Sequence, residues 1–364
     1  MSSTRFLSDS GACELIAALR AQATRVLAPV RIGSAPYERV DMAEVHDVAD
    51  VRLAAPVTAR SIKECFLPAS EVILRWRQKQ HDVEIETNTG GFVPTVVIGA
   101  RPCDAAAVEK VDKLMNWDYR DELWFGRRDA TTIVAIACTV VDDSCFCTTV
   151  GGSPDGRRGV DVLLTPIAGG FHVDVASPKG EALVATHSRF FVAAEPKSGA
   201  QADDVHEMTR RRVVANAPAD TARVRTWLDG HFEDGLWRQM AARCHGCGAC
   251  AAVCPTCHCF DIVDEPDNHL AGARRRNWDT CQAGRFTLHG SGHNPRPDQS
   301  ARYRQRVMHK FSIFPKRFAE ILCTGCGRCI RACPGGMDLG EVLATIAAAA
   351  GDAGATVVAT RGAV

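Results

Sequence analysis

The sequence predicts an α+β protein, with an N-terminal α/β domain followed by an all-helical second domain. Three observations carry this. Two continuous apolar runs of strand length, PTVVIGA from Pro94 and TTIVAIA from Thr131, flank a helical pattern from Ala105 to Met115, which is the element order of a βαβ-like unit. Two cysteine-rich strings, CHGCGACAAVCP from Cys244 and CTGCGRCIRACP from Cys323, mark a separate module in the last third of the chain. The stretch between them, Thr256 to Leu322, shows helical patterns and no hairpin turn.

The chain has 364 residues, 46% of them hydrophobic, which suffices for more than one core. Its 43 basic and 43 acidic side chains cancel, so no global field draws it to nucleic acid or anionic lipid. The segment MSSTRFLSDS has no basic stretch followed by an apolar one, so no secretory signal is expected there. The 17 cysteines then belong to a reducing compartment, and the protein is expected to be cytoplasmic. The most apolar C-terminal run, VLATIAAAAGDAGATVVAT, is interrupted by Asp352 and does not read as a membrane span.

Apolar residues recur at helical spacing from Ser10 to Ala28, with Asp9 or Ser10 as cap and Pro29 as terminator. Short β-like runs and turns follow from Tyr37 to Leu53. After Pro68 the spacing predicts a short helix capped by Ser70, with Glu71 in its first turn. Beyond the βαβ-like unit, GGSPDGRRG reads as a loop, and Val160–Leu164 with Phe171–Val175 as a hairpin. The α/β domain is assigned to residues 1–195, with the boundary falling between about 195 and 240. Residues 196–235 read as a helical linker, on which Arg210, Arg211 and Arg212 form a solvated face. The cysteine-rich domain occupies 236–345, and 346–364 are an Ala-rich tail.

Both strings space their cysteines C-x2-C-x2-C-x3-C-P, the run that ligates bacterial [4Fe-4S] clusters, with the fourth cysteine serving the other cluster. A cubane needs four thiolates from a tetrahedron of directions, so three come from a tight loop and one from elsewhere. Cluster I is therefore assigned Cys244, Cys247, Cys250 and Cys333, and cluster II Cys323, Cys326, Cys329 and Cys254. Gly246, Gly248, Gly325 and Gly327 let the backbone approach the sulfurs. Paired zinc sites would also use four cysteines, but zinc ribbons split their ligands into two C-x2-C halves.

A third set lies in the α/β domain. Ligands of open α/β sheets sit outside the carboxyl ends of strands, where Cys103 and Cys138 fall, and Cys145 and Cys147 follow closely. Packing as small buried hydrophobes would account for the first two, but not for a Cys-x-Cys pair in a loop. Cys103, Cys138, Cys145 and Cys147 are thus candidates for a third [4Fe-4S] cluster. Of the remaining five, Cys13 and Cys65 read as buried and inert, and Cys257, Cys259 and Cys281 are left unassigned.

Between Ala271 and Arg317 stand eleven Lys or Arg against Asp279 and Asp298. Cations near thiolate-bound clusters stabilise their negative charge, while the same surface could attract nucleic acid. No G-x4-GK[ST], nuclease pattern or aromatic ladder supports the nucleic-acid reading. No G-x-G-x-x-G follows a strand and no nucleophile elbow is present, so no catalytic residue is assigned and the chain reads as a carrier of electrons.

The second domain resembles the α-helical ferredoxin domains of succinate dehydrogenase iron-sulfur subunits and heterodisulfide reductases. Several strings carry a broader resemblance: GARPCDAAAVEKVD, SCFCT, CHGCGACAAVCPTCHCFDIVDE, RRRNWDTCQAGRF, GHNPRP with RYRQRVMHK, and CTGCGRCIRACPGGMD. Together they resemble the 4Fe-4S dicluster family of cytoplasmic sulfhydrogenase and NAD(P)-linked nickel-iron hydrogenase beta subunits, which also includes an iron-sulfur component of anaerobic sulfite reductase. The resemblance implies a non-catalytic electron-transfer role between the small and large subunits of a nickel-iron hydrogenase and an FAD-containing, NAD(P)-binding subunit. The alternative it leaves open is delivery toward the sirohaem component of an anaerobic sulfite reductase complex.

Overall fold

The computed structural model describes residues 4–88 and 90–351. In chain order the strands are β1 (Arg5–Ser8), β2 (Arg25–Ile32), β3 (Arg39–Glu44), β4 (Ser70–Lys79), β5 (Asp82–Thr87), β6 (Thr95–Ala100), β7 (Thr131–Ile136), β8 (Val162–Ile167), β9 (Gly170–Val175), β10 (Val192–Ala193), β11 (Phe260–Asn268) and β12 (Ala271–Trp278). They form an eight-stranded sheet of order β10-β1-β9-β8-β7-β6-β2-β3 and a four-stranded sheet of order β11-β12-β4-β5.

In the large sheet β2, β6, β7 and β8 run parallel, and the flanking strands pair antiparallel. Alternation along β6 and β7 explains why both read as unbroken apolar runs. Ile98 and Val134 enter one core with Ile16 and Leu164, while Val97 and Ile133 enter the opposite core with Val108, Trp124 and Leu163. A strand covered on both faces has no polar side to show. The helix Pro102–Met115 follows β6 directly, with Pro102 at its first turn and Asp104 accepting from the Arg101 backbone N–H at 3.2 Å.

Four local expectations change. The first helix spans Asp9–Ala21 and stops at a left-handed Ala23, after which Val26 to Val30 are buried in β2. Pro29 sits in that strand beyond Arg25–Leu27, the residues paired with β6, so its missing N–H interrupts no bond to β6. The short helix expected from Ser70 is β4. Glu71 is drawn from solvent into a buried ion pair with Arg276 of β12 and Arg127, and cross-strand pairing overrides the cap signal.

The second domain is not all-helical, because β11 and β12 form a hairpin in the gap between the cysteine motifs and complete a sheet with β4 and β5. Its register sets Asp264 opposite Arg274, paired at 2.8 Å, and leaves Glu265 diagonal to Arg275, paired at 2.9 Å. These cross-strand pairs supply what apolar alternation does not. The fourth change concerns 196–235. Helix Ser198–Ala215 docks on the large sheet, with Thr165 bonded to His206 at 2.8 Å and His172 to Ser198 at 2.7 Å, so this half of the expected linker is packed structure. Arg210 pairs with Asp155, whereas Arg211 stays at the surface with Glu207.

In the cysteine-rich half, helices Thr221–Gly230, Leu236–Met240, Gln299–Met308 and Leu339–Gly351 surround a core of Val224, Leu228, Val307, Phe311, Leu343 and Ile346. Phe146 and Val150 of the N-terminal half enter the same core. Residues Asp352 to Val364 of the expected tail lie outside the described residues. Among the described residues no helix is long and apolar enough to cross a membrane.

Candidate iron-sulfur site

Each cysteine motif winds into one short turn. Gly246, Gly248, Gly325 and Gly327 all have φ between 61° and 76°, a region glycine enters without cost. The constraint is also spatial: a Cβ on Gly246 would stand 2.5 Å from Gln299 Oε1, and one on Gly325 2.5 Å from the Phe146 carbonyl carbon. The glycines thus let the two turns pack against what holds them.

Cys244, Cys247, Cys250 and Cys333 line one cavity, together with Cys329, Tyr303 and Arg306. The triplet of the first motif and the last cysteine of the second are therefore brought together, with one cysteine of the second triplet beside them. Cys254 lies by Cys323 and Cys329, close enough for its charge to raise both thiols after burial has done so; Cys329 is pushed up to about 12. Among the described residues no three Cys, His, Asp or Glu side chains close on the position of a single metal ion.

Cys103, in the first turn of helix Pro102–Met115, and Cys138 lie just beyond the carboxyl ends of β6 and β7 and near each other, and Cys145 and Cys147 approach Cys138 from the following loop. Burial pushes Cys138 up to about 11 and Cys147 to about 12, with the neighbouring thiols adding to the rise. Cys103, raised in the same way, also feels Cys326 of the second motif. Buried thiols held protonated this firmly are poor acids, and metal binding is what removes such protons. The donor set suits iron-sulfur ligation: soft sulfur, buried, and gathered at the end of two strands.

Sequence reasoning missed the side chains that support these sulfurs. Helix Gln299–Met308 runs through a π-turn, His309–Ile313, and one face carries Gln299, Tyr303, Arg306 and Lys310 at helical spacing. Gln299 Nε2 donates to Cys244 Sγ at 3.2 Å, and Lys310 Nζ to Cys254 Sγ at 3.4 Å. Arg306 Nη2 donates to the Cys250 carbonyl at 3.1 Å. The string RYRQRVMHK held the signal, in the period of its polar residues. Arg328, between two cysteines of the second motif, makes a bidentate bond to Asp104 beside Cys103, at 2.6 and 2.9 Å.

Part of the basic excess between Ala271 and Arg317 is neutralised locally. Arg274, Arg275, Arg276, Arg304 and Lys316, five of the eleven, pair with carboxylates, which reduces the positive face that nucleic acid would need. Cys65 is buried as expected, but Cys13 is exposed, on the solvent side of its helix.

Residues 243–337 match the family model described as a 4Fe-4S dicluster domain. The chain is also 29% identical over 319 residues to sulfhydrogenase 2 subunit beta of Pyrococcus furiosus, an alignment covering 88% of this chain and 91% of that protein. The chain is thus an iron-sulfur protein with a 4Fe-4S dicluster domain, similar over most of its length to the beta subunit of a sulfhydrogenase.

Proposed function

We propose that the chain is a cytoplasmic electron-transfer subunit with three [4Fe-4S] clusters, relaying electrons between a nickel-iron hydrogenase module and an FAD- and NAD(P)-binding subunit. The observation that carries this is the meeting of the two motifs: Cys333 shares a cavity with Cys244, Cys247 and Cys250, from a part of the chain some ninety positions away. Clusters I and II take the crossed sets Cys244, Cys247, Cys250, Cys333 and Cys323, Cys326, Cys329, Cys254. The third takes Cys103, Cys138, Cys145 and Cys147. Bound clusters supply one-electron carriers.

The residues of the chain hold and tune them. Gln299, Lys310 and the Gly325 N–H point hydrogen-bond donors at Cys244, Cys254 and Cys323, which favours the reduced, more negative state. Cys103 beside Cys326 supports contact between the third centre and cluster II, so that the α/β half is one end of the relay and cluster I the other. The similarity to a sulfhydrogenase beta subunit favours hydrogenase partners over a sirohaem protein. Anaerobic purification of the native complex tests the assignment. Co-purification with flavin and nickel is the expected result, and co-purification with sirohaem would replace the hydrogenase by a sulfite reductase.

A further inference from the structure

Three cysteines that neither motif uses are gathered at one point. The register of the hairpin pairs Phe260 with Trp278, so Cys257 and Cys259 enter β11 where Cys281 leaves β12, at the open end of the ribbon. The Asp279 N–H donates to the Cys259 carbonyl at 3.0 Å, extending the pairing toward Cys281. Trp278 fixes this end to the N-terminal half. Its backbone N–H reaches the Ala69 carbonyl at 2.8 Å, its indole N–H the Leu67 carbonyl at 3.0 Å, and the Lys63 ammonium stands 3.8 Å from its ring centre.

The open end abuts the first motif. Cys281 faces Cys259 and Cys250, and Cys257 faces Cys254. The thiols receive the same kind of donors as the motif cysteines. Arg306 Nη1 donates to Cys257 Sγ at 3.3 Å and Gln282 Nε2 to Cys281 Sγ at 3.5 Å.

Charge makes the stronger argument. Lys63, Arg306 and Lys310 are each at most 6% exposed, and among the described residues none pairs with a carboxylate; they face backbone carbonyls and cysteine sulfur. A buried cation needs an anion beside it. Lys310 meets one at Cys254 when cluster II is bound. Arg306, which donates to Cys257 Sγ, and Lys63, which stands near Cys257 and Cys259, are matched only where metal fixes those thiols as thiolates.

We propose that Cys257, Cys259 and Cys281 hold an additional iron-sulfur centre beside cluster I, distinct from the three four-cysteine sets. Three thiolates suffice for a three-iron cluster or for a cubane with one iron free of protein sulfur. The proposal rests on the iron-sulfur reading above, and the following experiment separates the two.

Iron, zinc and acid-labile sulfide are counted on anaerobic wild-type holoprotein and on Cys259→Ser, Cys281→Ser and Cys103→Ser, with electron paramagnetic resonance of each after reduction. Cys259→Ser and Cys281→Ser are expected to lose about three or four irons and one signal, and Cys103→Ser to lose about four irons and a different signal. Unchanged iron in Cys259→Ser and Cys281→Ser overturns the additional centre and leaves the other sets standing, as does loss of zinc instead of iron from those variants. If both variants fail to fold, the wild-type total decides when set against Cys103→Ser. More than about twelve irons supports the centre, and about twelve with about eight in Cys103→Ser overturns it. A wild type with no iron at all removes the proposed function itself.

Discussion

Arg328 and Asp104 meet through two hydrogen bonds of 2.6 and 2.9 Å, each residue being 1% exposed. Arg328 separates two cysteines of the second motif, and Asp104 follows Cys103 on the helix after β6. One buried bond therefore sets the third candidate centre against the second motif.

Breaking that pair from one side leaves a buried charge alone. Asp104→Asn and Arg328→Met should each destabilise the fold by roughly 3–5 kcal/mol, and the double variant should recover part of the loss. Thermal unfolding of the anaerobic protein measures it. Additive losses in the double variant would mean the two residues act separately.

Cys103→Ser should remove one cluster signal and about four irons while both ferredoxin-type signals persist. Simultaneous loss of all signals would assign Cys103 to folding instead of ligation.

The Lys310 ammonium, 3.4 Å from Cys254 Sγ, opposes negative charge on the centre that Cys254 serves. Replacing it by Met should move that centre's potential in the negative direction, on the order of 60 mV, equivalent to a tenfold change in a one-electron equilibrium. Redox titration followed by electron paramagnetic resonance reads the shift, and an unmoved potential would reduce Lys310 to a packing role.

Gly325 has φ +61°, and a Cβ there would meet the Phe146 backbone at 2.5 Å. Gly325→Ala should loosen the second motif from the Cys145–Cys147 loop, costing on the order of 2 kcal/mol and lowering iron content, whereas Gly199→Ala, in open space, should do neither. Equal behaviour of the two variants would contradict the tight approach.

Glu320 ties the cysteine-rich half to the helix Pro102–Met115 and the loop beyond β7, through Lys113 at 2.9 Å and Arg158 at 2.7 Å. Burial pushes its carboxyl up, but the bonds from Arg158 and Lys113 and the charge of Lys110 win and hold it down at about 2. A carboxyl depressed in the folded state stabilises above its unfolded value near 4.5 and loses that contribution as pH falls toward 2. Glu320→Gln should thus cost on the order of 2–3 kcal/mol at pH 7, with the difference from wild type shrinking below about pH 4.5. Melting curves of both proteins against pH check the sign.

Much of the architecture was legible because it is local. Apolar runs covered on both faces gave β6 and β7, and fixed cysteine spacing gave the two motif turns. What could not be read depends on pairing across the chain. Ser70–Lys79 carries a helix-start signal that is cancelled by pairing with β5 and, across its first residues, with β12 some two hundred positions later. The β11–β12 hairpin is disguised by charge, since its acidic strand and basic strand hide apolar alternation. Cys257, Cys259 and Cys281 resist assignment for the same reason, because only the hairpin register shows that they meet. Gln299, Arg306 and Lys310 stand at readable helical intervals, yet nothing local says that sulfur lies opposite.

The small sheet has a consequence for how the molecule is made. Strands β4 and β5 leave the ribosome long before β12 exists, so for most of synthesis β4 presents an open edge of backbone donors and acceptors. The N-terminal half is complete only when residues 271–278 arrive to close it. Expressing either half alone, cut near residue 240, would strand that edge in one fragment and the hairpin in the other, inviting aggregation. Co-expressed fragments should find each other through the same seam.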